Sequence, residues 1–201
     1  MCKRRLIKIG DLLWSLFIYS IWIFFAFPAQ SAEAPSSSSL KSWQVPSFEL
    51  TKPEIKGEKE YLGLSGQGKF TLSNVQTRIL IIESFSMYCP HCQKEAPNVN
   101  ALFAAIEADA GLRNKVKLIG IGAGNTPFEV DFFKKKYKVP FPLFSDEDLH
   151  LTRLLGVTAT PTFIGVEIRG DGSVRGFYAE SGSLGDVHTF LKSMMALSQA
   201  V

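Results

Sequence analysis

Two cysteines stand three positions apart in "FSMYCPHCQKEAP" (residues 85–97). A pair at that spacing has three chemical uses: a redox couple, half of a metal site, or a haem attachment point. A zinc site needs about four ligands, and His91, His150 and His188 are scattered with no second cysteine pair to join them. A c-type haem requires histidine directly after the second cysteine, where this chain has Gln93. Redox chemistry is the reading these residues support best. An inert structural pair stays open, although two cysteines so close in the chain could staple almost nothing.

The elements around the pair sharpen that reading. "RILIIESF" (78–85) is a continuous apolar run, the pattern of a strand buried on both faces. After it, Val99, Leu102, Phe103 and Ile106 form one apolar helical stripe. Cys89 therefore falls just past a strand's C-terminal end, at the N-terminus of a helix. The thiolate is the reactive form of cysteine, and unpaired N–H groups at a helix start stabilise it. Pro90 suits the first helical turn, where its missing N–H costs nothing, and His91 adds a donor or a positive charge beside the sulfur. Cys92, one turn deeper, is placed to resolve a mixed disulfide. Glu83 is a carboxylate inside an apolar strand, which is costly; it is either a strand-end residue reaching solvent or a buried acid of raised pKa.

Beyond this unit the chain alternates strands and helices. "EYLGLSG" and "KFTLSN" read as short strands of a hairpin around Gly66 and Gly68, and "KVKLIGIG" as a second buried strand. "PFEVDFFKKKY" is a helix, "FPLFSD" a short strand or extended turn, and "EDLHLTRLL" a third helix. "TFIGVEIRGDGSVRGFY" has the pattern of a hairpin closing at Asp171-Gly172, and "LGDVHTFLKSMMAL" is a final helix. This order implies an α/β domain over 48–201, with a mixed central sheet flanked by helices and an N-terminal β-hairpin.

The 201 residues, 46% hydrophobic and 20% charged, suit one such domain and an appendage. Lys3, Arg4, Arg5 and Lys8 precede the apolar run 12–27, and small residues follow, with an A-x-A pattern at 32–34. Residues 1–34 therefore read as a cleaved secretory signal or an uncleaved anchor tethering the domain through 12–27. Either exports the domain, to the periplasm or to the extracytoplasmic side of a membrane, and leaves Cys2 behind. Residues 35–47, rich in Ser and Pro, read as a flexible linker. Without residues 1–34, the count is 22 − 4 = 18 basic against 19 − 2 = 17 acidic side chains, which gives no reason to propose nucleic acid. Lys134, Lys135, Lys136 and Lys138 read as a solvated helix face.

Over about 45–197 the chain resembles the thioredoxin-like superfamily, and in its arrangement the TlpA/ResA-type exported thiol–disulfide oxidoreductases. The resemblance rests on "SFEL" followed by a hairpin, "ILIIESF", "CPHCQKEAP" as a C-x-x-C-x-x-E-x-P pattern, "FPLFSD" and "GVTATPTFI". It implies a thioredoxin-like fold and a cis bond between Thr160 and Pro161 facing the disulfide, where exposed backbone groups pair with a substrate chain. Tyr88, in the place where the family has tryptophan, joins Thr160 and Pro161 as a substrate contact. It also implies cysteine-containing exported proteins as substrates, a membrane thiol electron donor or acceptor, and no cofactor or metal beyond the Cys89–Cys92 couple. For Glu83, six residues before Cys89, the resemblance implies a catalytic buried acid beneath the disulfide that exchanges protons with the resolving thiol. Glu95 matches the family's acid, but as a first-turn residue it complements the helix dipole and is assigned no catalysis. The dipeptide Pro90-His91 instead resembles the active site of the oxidant DsbA, whereas 93–160 is too short for the helical subdomain of that protein. The scaffold points to a reductase and the dipeptide towards a more oxidising couple.

Three other readings stand beside this one. "GIGAGN" (120–125) follows a strand as a dinucleotide loop would, but Asn125 replaces the third glycine. A thiol peroxidase would need a proline and a hydroxyl residue ahead of its cysteine; Ser86 has the hydroxyl spacing, but Ile82 holds the proline's place. A non-enzymatic domain could bind cysteine-bearing partners through the Pro161 groove.

Overall fold

The apolar run around Ile81 forms the centre of the molecule because every one of its side chains can be buried. In this computed structural model, which describes residues 42–199, strand β4 (Ile79–Phe85) is buried along all seven residues. It pairs in parallel with β5 (Val116–Ala123) and antiparallel with β7 (Thr162–Ile168). Beyond β5 lies β6 (Leu143–Asp146), and beyond β7 lie β8 (Val174–Ser181) and the two-residue β1 (Trp43–Gln44), giving the sheet order β1-β8-β7-β4-β5-β6. A separate antiparallel pair joins β2 (Glu49–Thr51) to β3 (Lys69–Thr71).

Alternation along β4 divides the core in two. Ile79, Ile81 and Phe85 face one cluster, built with Val99, Leu102 and Ile106 of α2 (Pro90–Ala108) and Phe190, Leu191 and Met194 of α5 (Val187–Gln199). Leu80 and Ile82 face the other, with Leu50, Phe70 and Leu151. Burying each of these large side chains contributes about 1.5–3 kcal/mol. The parity sends Glu83 to the α2 face, under the helix that carries both cysteines. The hairpin of β7 and β8 closes at Asp171-Gly172, where Gly172 takes φ +82°.

Four expectations need correction. "EYLGLSG" is not a strand: Lys56–Tyr61 forms helix α1, because it buries Leu62 completely and brings the Tyr61 hydroxyl to the Leu118 N–H at 2.7 Å, beyond the end of β6. The partner of β3 is therefore β2, across a long connection. The third helix is only α4 (His150–Leu154), because the buried Asp146 carboxylate accepts the N–H groups of Leu151 and Thr152 and fixes its start. The expected linker 35–47 is ordered at its end: Trp43 and Gln44 pair with Gly176 and Arg175, and the Trp43 ring occupies the space a Cβ at Gly176 would need. Of the lysine face on α3 (Pro127–Tyr137), Lys134 is drawn inward to Glu58 at 2.8 Å, while Lys135 stays exposed. The expected signal or anchor, residues 1–34, lies outside the described residues, and no described helix is long and apolar enough to cross a membrane.

Candidate active site

Cys89 is the N-cap of α2, in extended conformation, and Pro90 holds the first helical position. Its sulfur accepts the Cys92 N–H at 3.4 Å, and its thiol donates to the Thr160 carbonyl at 3.1 Å. Thus residues 71 positions apart meet at one sulfur. Burial alone would raise the Cys89 pKa; a hydrogen bond with the Thr160 side chain and the N–H groups of Cys92 and His91 outweigh it and hold the thiol below its ordinary value. Cys92 is fully buried among apolar side chains. Desolvation pushes its thiol up to about 12, and the neighbouring Cys89 adds to the shift. Both thiols are free. The pair thus consists of one accessible sulfur that ionises readily and one sealed sulfur that resists ionisation.

Glu83 is 2% exposed, and its Oε1 has no hydrogen-bond partner. Burial, and then the charge of Glu95, raises its pKa from 4.5 to about 8. The strand-end alternative, a carboxylate in solvent, does not describe it. Glu95, expected only to complement the helix dipole, also has specific partners. It is buried, and its Oε1 accepts from Asn98 Nδ2, Ser183 Oγ and the Leu184 N–H at 2.9–3.1 Å.

The Thr160-Pro161 bond is cis. Pro161 is buried, and its carbonyl accepts the Gly182 N–H at 2.8 Å, tying the loop to the end of β8. Beside it runs an open groove of about 440 Å³ lined by His91, Glu95, Thr160, Pro161, Ser181 and Ser183. His91 is exposed at its mouth, and His150 and His188 lie on α4 and α5. Tyr88 is 63% exposed, and its hydroxyl donates to Glu129 at the start of α3. That bond, more than any other influence, holds the Tyr88 phenol above its ordinary pKa and Glu129 below it. The structure therefore gathers Cys89, Cys92, Pro90, His91, Thr160 and Pro161 around one sulfur, sets Tyr88 at its rim, and places Glu83 under the helix.

A profile of the AhpC/TSA family matches residues 43–176, more than half of the chain. The chain belongs to the AhpC/TSA family. Within that family's breadth, it is 24% identical over 119 residues to the thiol-disulfide oxidoreductase ResA of Halalkalibacterium halodurans, covering 59% of this chain and 58% of that protein. It is 26% identical over 120 residues to ResA of Bacillus thuringiensis, covering 59% of each. The matches thus span little more than half the length of these relatives. Among solved structures, a protein assigned as thiol:disulfide interchange protein DsbE from Chlorobium tepidum superposes with a TM-score of 0.58 at 17% identity, over 77% of this chain and 95% of that one. StoA of Bacillus subtilis gives 0.53 at 20%, over 75% and 97%. These likenesses establish the thioredoxin-like fold.

Sequence reasoning missed one buried residue at the site. Asn125, in the segment weighed as a dinucleotide loop, has no exposed surface and bonds to the loop that leads to Cys89. The missing third glycine was the available signal: a polar residue held where a phosphate loop would need open backbone.

Proposed function

We propose that the chain is an exported thiol–disulfide oxidoreductase that reduces disulfides of cysteine-containing proteins. The observation that carries this reading is the contrast between a hydrogen-bonded, accessible Cys89 of lowered pKa and a sealed Cys92 of raised pKa. The Cys89 thiolate attacks one sulfur of a substrate disulfide, the S–S bond breaks, and the other substrate sulfur leaves as thiolate. Cys92 then loses its proton to Glu83 and attacks Cys89 Sγ. The Cys89–Cys92 bond forms as the second substrate thiolate departs, so the substrate gains two electrons and the enzyme loses them. Glu83 is suited to this role by its place on the α2 face and a pKa near 8, while Thr160, Pro161 and Tyr88 border the surface where a substrate chain would lie. No cofactor beyond the thiol pair enters the cycle, and a membrane thiol donor would restore the reduced state. Export is supported by the basic, apolar and small-residue order of 1–34 and by the ResA resemblance. The reductive direction is supported by that same resemblance.

A disulfide-forming oxidase is the second reading, favoured by the N–H groups that stabilise the Cys89 thiolate, because stabilising the reduced form makes the couple more oxidising. Trapping separates the readings: a Cys92→Ser variant expressed in cells should accumulate mixed disulfides, and the wild type should be recovered mostly reduced. Recovery of a mostly oxidised wild type would replace the reductase with the oxidase.

A further inference from the structure

Asn125 lies two residues past the end of β5 and is 0% exposed. A buried carboxamide is costly unless its polar atoms are satisfied, and both of these atoms are spent on one loop. Oδ1 accepts the Met87 N–H at 2.8 Å, and Nδ2 reaches Ser86 Oγ at 3.5 Å. The same residue is gripped on its other side, through the next peptide, where Gln93 Nε2 donates to the Met87 carbonyl at 2.8 Å. The Cys89 N–H in turn donates to the Ser86 carbonyl at 3.1 Å. Space for the carboxamide comes from Gly122, where an added Cβ would stand 2.7 Å from Val130 Cγ2 and 3.3 Å from Asn125 Oδ1. Glycine at 122 and asparagine at 125 therefore serve one arrangement, which accounts for the odd "GAGN" after a buried strand.

We propose that Asn125 is a positioning residue for thiol–disulfide exchange: with Gln93 it clamps Met87, and the clamp fixes Cys89 where its sulfur meets the Cys92 N–H and the Thr160 carbonyl. The inference rests on the oxidoreductase reading above. Contacts of 3.4 Å and 3.1 Å at one sulfur weaken steeply with displacement, and an untethered loop of four residues has ample freedom to displace it. The Asn125 and Gln93 side chains bond to Ser86 and Met87 and not to either cysteine sulfur, so each acts through the loop.

The test uses the reduced full-length chain, with iodoacetamide alkylation of Cys89 followed by mass mapping across pH, and the redox potential set against glutathione. Asn125→Ala should raise the alkylation midpoint of Cys89 by about half a unit to one unit and move the potential to a more negative value, because the displaced sulfur loses the Cys92 N–H that stabilises the thiolate. Gln93→Ala, which leaves the core untouched, should shift both readouts in the same direction. The double variant should shift them by less than the sum, because both side chains hold one residue, Met87. A lowered Tm with an unchanged midpoint and potential in Asn125→Ala would make Asn125 a purely structural residue and overturn the proposal. So would wild-type values in Gln93→Ala, the measurement that stands if Asn125→Ala does not fold. Alkylation reads Cys89 without turnover, so a wild type inert toward disulfides would be seen separately and would overturn the oxidoreductase reading instead.

Discussion

Two helices start at the same end of the sheet with the same grammar and different chemistry. α3 opens with Thr126-Pro127-Phe128-Glu129, and α2 opens with Cys89-Pro90-His91-Cys92. Each has an extended N-cap and proline at the first helical position. At α3 the cap is closed: Thr126 Oγ1 accepts the Glu129 N–H, and Glu129 Oε2 accepts the Thr126 N–H at 2.8 Å. At α2 the cap is a sulfur, the third residue is a second sulfur, and the Cys89 N–H turns back to Ser86. A hydroxyl at a helix start remains a hydroxyl, so the orphan N–H groups only stabilise the fold. A thiol in that position can ionise, and the same N–H groups become a means of activating it. The two ends are also joined, since Tyr88 reaches Glu129 and Asn125 holds Met87.

The comparison breaks most severely at the sulfur. Cys89→Ser should abolish disulfide exchange and trap nothing, whereas Cys92→Ser should trap mixed disulfides on non-reducing gels; trapping by Cys89→Ser would reverse the assignment.

Next in size is Glu83→Gln, which removes the proton acceptor under α2 and should lower turnover by about 100-fold while the fold survives. Its pH signature has a definite sign. The folded protein holds the Glu83 proton up to about pH 8, whereas the ordinary value is 4.5, so the folded state binds the extra proton between them. Stability is fully present below the lower value and is lost as pH rises through the upper one, by about 3–5 kcal/mol. Thermal melts from about pH 5 to about pH 9 should show that decline in the wild type and a flatter line in Glu83→Gln. Parallel lines would leave Glu83 in contact with water.

A smaller effect is expected at the second helical position. His91→Pro deletes an N–H that stabilises the Cys89 thiolate, together with the imidazole, and should make the potential more negative by about 30 mV, equivalent to about 1.4 kcal/mol. An unchanged or more positive potential against glutathione would remove His91 from the tuning of the couple. Smallest is Thr126→Ala at the matching cap, which should cost about 1 kcal/mol of stability in denaturant melts. Cys89 alkylation should hardly change, and a large change there would mean that the two caps are not separable.

How much of this was legible in the sequence depends on the range of the interaction that decides each feature. Cys89, Cys92 and Pro90 could be placed because a strand period, a helical period and a proline locate a helix start within a few residues. β4, β5 and the β7–β8 hairpin were legible for the same local reason. Glu83 was visible as a carboxylate in an apolar run, and strand parity then fixed its face. The short pieces were not legible. Helix α1 is held by Tyr61 reaching Leu118 and by the burial of Leu62, and β1 by the packing of Trp43 on Gly176, contacts between residues far apart in the chain. The role of Glu95 was not legible because its partners Ser183 and Leu184 lie 88 and 89 positions away.

The central claim is that one helix start holds two thiols of unlike character, and alkylation of the reduced chain across pH, with each cysteine mapped by mass, tests it most directly. Cys89 should be modified first, with a midpoint below the ordinary cysteine value, while Cys92 remains protected until the pH approaches about 12 or the fold opens. Equal midpoints for the two cysteines, or faster labelling of Cys92, would contradict it.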